Sequence, residues 1–383
     1  MRILLLLVVL PLLLCGLACG SSPEVVITVD NPSDFPRATE TIALSWQAIL
    51  AGNPAILPTA VSVWDASGEI PSQIVDLNAD GVPEEILFQS GFAAKEQKTF
   101  RVKAQSSRTA FPPRVDARFV LPREDLAWEN DRVAFRMYGP AMAADVRNGI
   151  DVWTKRVRSL IVQKWYKESE GAPPGKDTYH VDRGEGADFF SVGKTLGAGG
   201  CGLWKDNVLH QPGVFTSYQV LMNGPIRAQF KLVYDNGQIN GVPFRAEQTV
   251  TLDAGEHFNR IDVVYTGAGD SLVVAAGLVK RKNAVATSNA DLGWLALWGP
   301  VNDDPVNESL GTGVVMPGAS AGEDSLQVLL LAPSTAGATL TYYAGAGWTR
   351  SGDFGNAQDW EAAHTGLANR LRQPLKIAVS AGN

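Results

Sequence analysis

The sequence predicts a mainly β protein, with a small amino-terminal β domain, a large antiparallel β-sandwich and one helix near the carboxyl terminus. Short runs of alternating apolar and polar residues, broken by Gly, Pro, Asn and Asp, recur along the chain. This pattern is typical of sandwiches and barrels. Three long alternating runs with tight turns between them indicate a large sheet, and one apolar stripe with helical spacing indicates the helix.

The small domain is expected to cover residues 23–105. The stretch 106–113 ends in Pro112-Pro113 and predicts a linker, so residues 106–383 are assigned to the large domain. The strands of the small domain are predicted from alternating runs at residues 25–29, 42–46, 60–64, 85–89 and 100–103.

The large sheet is predicted from strict alternation between Ile226 and Tyr234. Asp235-Asn236-Gly237 is expected to turn the chain, and a second sheet must cover the apolar face. Residues 150–166 suit either a helix or strands, and we favour strands. Further strands are expected at residues 244–252, 259–265, 272–279, 294–298, 314–315 and 327–331, and a helix at 356–371, whose apolar stripe is Trp360, Ala363, Leu367 and Leu371.

The amino terminus predicts export. Arg2 precedes an apolar run that ends at Leu14 and is too short to span a membrane, as in a secretory signal. We expect residues 1–18 to be removed and Cys19, within Ala18-Cys19-Gly20, to become the lipidated first residue. Gly20 suits an outer-membrane lipoprotein, and cleavage into the periplasm is the alternative. The lipid is the only membrane contact expected.

Charge and cysteine content narrow the possible partners and bonds. A formal net charge of −7 and a pI near 5.2 argue against nucleic acid, which binds basic patches. Only Cys201 remains once Cys15 is removed and Cys19 is lipidated, so no intramolecular disulfide is expected. No His/Cys cluster has zinc spacing and no Gly-rich loop links a strand to a helix, so no cofactor is expected to be required.

The stretch from Tyr138 to Trp204 has the densest functional side chains. Its segment 179–188 contains a histidine, a phenol, a guanidinium and three carboxylates, which a buried strand would not tolerate without partners. A solvated loop is the alternative to a polar pocket with aromatic walls. The candidate residues are His180, Tyr179, Tyr166 and Arg183 for catalysis, and Tyr138, Lys164, Trp165, Asp182, Glu185 and Trp204 for substrate binding.

A separate loop has the composition of a calcium site. Asp76, Asn78, Asp80 and Glu84 place oxygen atoms around the turn at Gly81, and calcium prefers such hard ligands. A structural calcium ion is therefore possible. A hairpin turn without metal is the alternative, because Asn-Ala-Asp-Gly also favours a tight turn.

Motifs across nearly the whole chain resemble the domain-of-unknown-function family 4861. They are Phe135-Arg136-Met137-Tyr138-Gly139-Pro140, Gly149 to Val157, Lys164-Trp165-Tyr166, Tyr179 to Gly186, Asn223 to Arg227, Thr251 to Gly255, Gly345 to Trp348 and Ser351 to Phe354. The resemblance implies an exported component of polysaccharide degradation, with one member thought to dehydrate uronic-acid oligosaccharides. The strands from Gly224 onward also look like the supersandwich of galactose-mutarotase-like folds, although fold alone does not determine function.

Elimination from a uronate requires a base at C5, an acid at the C4 oxygen and a cation on the carboxylate. Under this interpretation His180 is the base and Tyr179 or Tyr166 the acid, with Tyr138 equally suitable. Arg183 or Lys164 neutralises the carboxylate, and Trp165 and Trp204 stack on sugar rings. Two alternatives remain: a glycoside hydrolase that uses Asp182, Glu185 and Asp188, and a surface glycan-binding lipoprotein without catalysis.

Overall fold

The computed structural model describes residues 23–173 and 179–382. The predicted signal segment and Cys19 lie outside these ranges. The described chain is mostly antiparallel β-structure in five sheets, which confirms the predicted fold class. Three short 3-10 turns and three α-helices connect the strands.

The amino-terminal unit packs two small sheets around an apolar core. β2, β6 and β5 form one sheet, and β1, β7, β3 and β4 belong to the other. Phe88 and Phe100 meet in this core with ring centroids 4.7 Å apart. The elements of the unit are β1 (Glu24–Asp30), β2 (Arg37–Ser45), α1 (Trp46–Gly52), β3 (Val61–Asp65), β4 (Gly68–Ile70), β5 (Ser72–Val75), β6 (Glu85–Phe92) and β7 (Gln97–Ala104).

One face of the next sheet packs against the large apolar core that it shares with the sandwich, called the main core below. The other face of this sheet bears the charged residues of the candidate site. Phe135 and Val152 point into the main core, so Arg136 and Asp151, one position along each strand, point to the opposite face. The strand order is β12-β11-β10-β9-β8. The elements are β8 (Val115–Val120), β9 (Asp125–Asn130), β10 (Ala134–Met137), β11 (Ile150–Lys155), α2 (Val162–Glu170) and β12 (Gly186–Ala187).

Within residues 150–166 a strand ends at Lys155 and a helix begins at Val162, so the prediction of strands in this stretch is wrong beyond Lys155. The reason is a tertiary contact. The carboxylate of Glu129 accepts hydrogen bonds from the backbone N–H groups of Ile161 and Val162, at 2.7–2.9 Å. A negative charge at this position stabilises a helix amino terminus.

The remaining elements form the sandwich, the terminal helix and a last strand. One sheet has eight strands in the order β15-β16-β17-β18-β25-β22-β21-β20, and a five-stranded sheet has the order β14-β13-β19-β24-β23. The elements are β13 (Ala198–Lys205), β14 (Val208–His210), β15 (Ser217–Met222), β16 (Arg227–Ile239), β17 (Val242–Asp253), β18 (Phe258–Thr266), β19 (Ser271–Val279), β20 (Val285–Asn289), β21 (Trp294–Pro300), β22 (Ser309–Val315), β23 (Ser320–Glu323), β24 (Gln327–Thr335), β25 (Thr339–Trp348), α3 (Ala357–Arg372) and β26 (Lys376–Ala381).

The three long predicted strands are present as β16, β17 and β18, but the first turn lies further along the chain than expected. The register of β16 shifts between Tyr234 and Gly237, so the predicted turn is a β-bulge. The chain reverses at Asn240-Gly241, where both residues have positive φ (50° and 80°). Asn-Gly suits a two-residue hairpin turn, which requires that backbone conformation.

The last two elements tie the ends of the chain together. The predicted helix is confirmed as α3, which begins after Asn356, whose side chain accepts from the backbone N–H of Asp359. Trp360 and Leu367 are buried as the apolar stripe predicts. β26 then pairs antiparallel with β1, so the carboxyl-terminal strand completes a sheet of the amino-terminal unit.

Candidate functional site

A buried cluster of charged side chains lies between the β8–β12 sheet and α2. Arg136 on β10 is directly opposite Asp151 on β11. Its Nη2 lies 2.6 Å from Oδ2 of Asp151 and 2.8 Å from Oδ2 of Asp188. The carboxylate of Asp125, from β9, lies 3.8 Å from the same guanidinium. One guanidinium therefore lies within 3.8 Å of three carboxylates.

Two phenols complete the hydrogen bonding of the cluster. The hydroxyl of Tyr138 accepts from Nη2 of Arg136 at 2.7 Å and donates to Oδ2 of Asp151 at 2.9 Å. The hydroxyl of Tyr166, on α2, donates to Oδ2 of Asp125 at 3.0 Å. Burial, followed by the charge of Asp151, raises the pKa of Tyr138, so this phenol stays protonated at neutral pH.

The excess of carboxylates over guanidinium determines the protonation of the cluster. Burial raises the pKa of Asp125 to about 6 and raises the pKa of Asp188 far above its usual range. Burial opposes the charge of Arg136, but Asp151 and Asp188 raise its pKa overall. Among described groups, Oδ1 of Asp125 and Oδ1 of Asp188 have no hydrogen-bond partner. The cluster therefore retains a proton on a carboxyl group near neutral pH.

His180 lies at the exposed edge of this cluster. Its Nδ1 is 2.8 Å from the backbone carbonyl oxygen of Asp188 and 3.7 Å from Oδ2 of that residue. Because a carbonyl oxygen only accepts, Nδ1 carries the hydrogen and the neutral ring has its lone pair on Nε2. The side chain is 44% exposed. His180 can therefore accept a proton from a bound molecule.

An aromatic stack and an arginine flank this imidazole. The ring of Tyr179 lies 4.6 Å from that of His180 and stacks on Trp153 at 4.8 Å. The guanidinium of Arg123 lies over the Tyr179 ring, 5.5 Å from its centroid. Arg123 is exposed, so a cation accessible to solvent lies against the same tyrosine ring that His180 contacts.

Several other predicted residues form a second group beside the cluster. Lys164 bonds both carboxylate oxygens of Glu185 at 2.8 Å, and Nε1 of Trp165 donates to Glu185 at 3.2 Å. Trp165 is buried against Trp153 and is not a free stacking surface. A surface cleft of about 790 Å³ is lined by Lys164, Glu168, Gly171, Ala172, Pro173, Arg183, Gly184 and Glu185.

Asp182 and Trp204 belong to neither group. Asp182 pairs with Arg156 and Arg350, and Trp204 is half-buried in the β13–β14 hairpin opposite Leu209. The structure thus brings Tyr138, Tyr166, Tyr179 and His180 around Arg136, whereas Lys164, Trp165, Arg183 and Glu185 line or support the neighbouring cleft. Their roles in binding and catalysis stay predictions.

The sequence interpretation missed the centre of the cluster. Arg136, Asp151 and Asp125 were assigned no role, and neither was Arg123. A signal was present, because Arg136 and Asp151 each interrupt an apolar strand and a buried charge requires a partner. The pairing of the two strands was not readable from their separation along the chain.

The oxygens of the predicted calcium loop accept hydrogen bonds from their own backbone. The N–H groups of Gly81, Leu77 and Val82 donate to Asp76, Glu84 and Asp80, respectively, at 2.7–2.9 Å. Asp76 also has a buried Oδ1 without a partner. Over residues 23–173 and 179–382, no group of three or more His, Cys, Asp or Glu side chains is arranged to hold a metal ion.

In the part of the chain that the structure describes, every helix is too short or too polar to cross a membrane.

Comparison with known proteins identifies a family, a relative at 31% identity and several distant structures. The model of a family described as a domain of unknown function (DUF4861) matches residues 29–377. Uncharacterized protein P7 of Formosa agariphila is 31% identical over 375 residues, which cover 92% of this chain and 93% of that protein. A family 38 glycosyl hydrolase protein and an α-mannosidase, both from Enterococcus faecalis, are each 11% identical, with TM-scores of 0.47 and 0.49. The matches cover 94% of this chain but only 47% and 46% of those chains.

Proposed function

The chain belongs to the DUF4861 family, and from this premise we propose that it is a carbon–oxygen lyase acting on oligosaccharides that contain uronic acid. It would eliminate water or a glycosidic oxygen between C4 and C5. The observation that carries the proposal is the setting of His180. Its exposed imidazole is bound through Nδ1 to a carbonyl oxygen and contacts the ring of the buried Tyr179, over which Arg123 also lies.

The first requirement is removal of the proton at C5. Nε2 of His180, which carries the lone pair of the neutral ring because Nδ1 is bound to the carbonyl oxygen of Asp188, takes this proton. The carbanion that develops is stabilised when a cation binds the adjacent carboxylate. Arg123 and Arg183, both exposed, are the proposed cations. Lys164, which pairs with Glu185, is the alternative cation.

The second requirement is a proton for the oxygen that leaves C4. Tyr166 and Tyr179 are only 3% and 4% exposed, whereas Tyr138 is partly exposed. We therefore assign the acid to Tyr138. As the C4–O bond breaks, the phenol gives the leaving oxygen the hydrogen that it otherwise donates to Asp151. Burial and Asp151 raise the pKa of Tyr138 and oppose this step, and Arg136, which already donates to the phenolic oxygen, offsets part of that cost by stabilising the phenolate. The electrons of the C5–H bond become the C4=C5 double bond.

The location of the activity is part of the proposal. Export with a lipid on Cys19 would place the protein at the outer membrane, where polysaccharide fragments arrive, and a periplasmic protein is the alternative. Mass spectrometry of the mature amino terminus tests this: acylated Cys19 is expected. An unmodified residue at the cleavage site would exclude the anchor.

The activity is tested by incubating the purified protein with a panel of uronic-acid oligosaccharides. The expected product absorbs ultraviolet light because its double bond is conjugated to the carboxylate. Mass spectrometry distinguishes the outcomes: loss of one water indicates a dehydratase, and fragments formed without added water indicate a lyase that cleaves the chain. Added water would indicate a hydrolase, and binding without conversion would indicate a glycan-binding protein. Either of these last two results overturns the proposal.

The proposed role of His180 as the base is tested by a substitution of that residue. His180→Ala is expected to lower kcat/KM by about 100-fold or more while oligosaccharide binding is retained. His210→Ala, which changes a half-buried histidine in β14, is the matched control and should stay active. Full activity of His180→Ala would show that His180 is not the base.

We also propose that the loop from Asp76 to Glu84 binds a calcium ion with a structural role. Support comes from the buried Oδ1 of Asp76, which has no hydrogen-bond partner. The other loop oxygens accept from backbone N–H groups, so calcium binding would require the loop to rearrange around the ion. Calcium should raise the melting temperature, and a chelator should reverse the rise. Asp80→Asn should weaken the response. A melting temperature that calcium leaves unchanged would exclude the site.

A further inference from the structure

A row of four arginines extends from the loop that contains His180 to the surface around His257. We propose that this arginine band, formed by Arg132, Arg156, Arg158 and Arg350, binds the anionic groups of an acidic oligosaccharide beyond the unit that reacts at His180. The inference rests on the proposed function, because it places the remainder of that substrate. It adds a binding surface to which the sequence analysis assigned no residue except Asp182.

The first half of the band is joined to the His180 loop. Asp182, two residues after His180, accepts from Nη1 of Arg156 at 2.8 Å and from Nη1 of Arg350 at 2.9 Å. Its side chain is only 5% exposed. Asp182 therefore lies beneath the two guanidiniums and orients them, while part of each arginine side chain still faces solvent.

The second half of the band is built on Asp353. Arg158 bonds both oxygens of this carboxylate at 2.8 Å, Arg132 bonds it at 2.7 Å, and Nε2 of His257 lies 3.1 Å from it. Nη2 of Arg158 also donates to the backbone carbonyl oxygen of Ser351 at 3.2 Å. Because Ser351 follows Arg350 in the chain, the two halves are continuous.

The band has more positive than negative charge. Its four guanidiniums are paired with Asp182, Asp353 and, at 3.4 Å, Glu308. This leaves a surplus of one positive charge with His257 uncounted, on a protein whose formal net charge is −7. General basicity of the chain therefore does not explain the row. The side chains of Arg132, Arg156 and Arg158 remain 31–46% exposed, so their outer N–H groups can reach a ligand. Arg350 is 24% exposed and bonds Asp182, Glu308 and the carbonyl oxygen of Val306 through its three guanidinium nitrogens, so it contributes mainly its charge.

The band ends at a recess with space for a sugar unit. Arg132, His257 and Asp353 line a surface cavity of about 370 Å³, together with Phe354. This volume falls within the range of small-molecule sites. Guanidiniums bind carboxylate and sulfate through paired hydrogen bonds. The recess and the row before it therefore suit a chain of sugars that carries repeated carboxylate or sulfate groups.

The test compares the binding of three probes to the full-length protein by calorimetry: polygalacturonate oligosaccharides, which carry carboxylates, dextran sulfate oligosaccharides, which carry sulfates, and neutral dextran oligosaccharides of similar length. We expect both acidic probes to bind and dextran not to bind, with affinity that falls as salt is added because salt screens exposed charges. The stronger of the two acidic probes identifies carboxylate or sulfate as the preferred group. Equal binding of dextran would overturn the proposal.

Variants locate the binding surface. Arg158→Gln should weaken the binding of the preferred acidic probe by about threefold to fivefold, and the double variant Arg156→Gln/Arg158→Gln by about tenfold. Arg245→Gln is the matched control, because the side chain of Arg245 has the same 46% exposure as that of Arg158 and is likewise held by carboxylates, those of Asp235 and Glu247. Circular dichroism confirms that each variant is folded. Unchanged affinity in the folded double variant would overturn the proposal that the arginine band binds the probe.

The two proposals fail in distinguishable ways. If the acidic probes bind through the band but no uronate is converted, the lyase proposal fails and the band stands. If short uronates are converted and Arg156→Gln/Arg158→Gln raises KM neither for short nor for long substrates, the band fails and the lyase stands. For a working band, we expect the variant to raise KM for long oligosaccharides and to leave kcat unchanged.

Discussion

At the scale of single residues, the cluster around Arg136 shows how burial changes carboxylate chemistry. Asp125 is 1% exposed, and its nearest cation lies at 3.8 Å. That cation is engaged more closely by Asp151 and Asp188. Burial therefore dominates the electrostatics of Asp125 and raises its pKa to about 6.

This shift predicts how stability depends on pH. Between pH 4 and 6, the folded protein holds a proton on Asp125 that the unfolded chain has released, so stability from this group is lost as pH rises through about 6. Asp125→Asn keeps an acceptor for Tyr166 and removes the titration. Relative to the wild type, the variant should gain about 1–3 kcal/mol of unfolding free energy between pH 4 and pH 7.

Urea unfolding of both proteins at several pH values measures this difference. Asp116→Asn is a control on a carboxyl group that lies outside the Arg136 cluster and pairs with Arg118. Parallel stability curves for Asp125→Asn and the wild type would show that Asp125 titrates alike in the folded and unfolded states.

At the scale of elements, α2 is fixed to its sheet by one buried ion pair. Nζ of Lys155 lies 2.6 Å from Glu129, and both side chains are at most 1% exposed. Glu129 also accepts from the first backbone N–H groups of the helix. Because α2 supplies Tyr166 and Trp165, this pair positions part of the candidate site as well as the helix.

Replacing only one residue of this ion pair should lower the unfolding free energy more than replacing both with neutral residues. Lys155→Met leaves the Glu129 carboxylate buried without its cation, and we expect a loss of about 3–5 kcal/mol of unfolding free energy. In Glu129→Gln/Lys155→Met the neutral amide still accepts from the helix, so the double variant should be more stable than Lys155→Met alone. Chemical denaturation measures the unfolding free energies of Lys155→Met, Glu129→Gln and the double variant. A loss in the double variant equal to the sum of the two single losses would contradict this account.

At the scale of the whole molecule, the two ends of the described chain share one sheet. β26 pairs with β1 from Val25 to Asp30, so the amino-terminal unit is completed by residues about 350 positions later. Val379 lies opposite Ile27 and packs on the core of that unit. The sandwich, which lies between these strands in the chain, is thereby linked to the amino-terminal unit at both ends.

This closure predicts a strong effect from a single change in the last strand. Val379→Asp places a charge against the apolar core and should lower the unfolding free energy by about 2 kcal/mol or more. Ser380→Asp adds the same charge at an exposed position of β26 and should have little effect. Thermal unfolding followed by circular dichroism compares them, and an equal shift in both variants would show that β26 does not support the core.

The sequence by itself determined the mainly β class, the three long strands and α3, because strict alternation and helical spacing are local patterns that burial preserves. It also predicted a candidate site in the Tyr138–Trp204 stretch, since dense ionisable groups beside aromatics are unusual in a plain core, and that role stays a prediction. The tertiary structure decided the rest. The pairing of Arg136 with Asp151, the helix held by Glu129, the return of β26 to β1 and the row of arginines each depend on contacts between residues distant in the chain. Pairwise burial and charge, which no local pattern encodes, select those contacts.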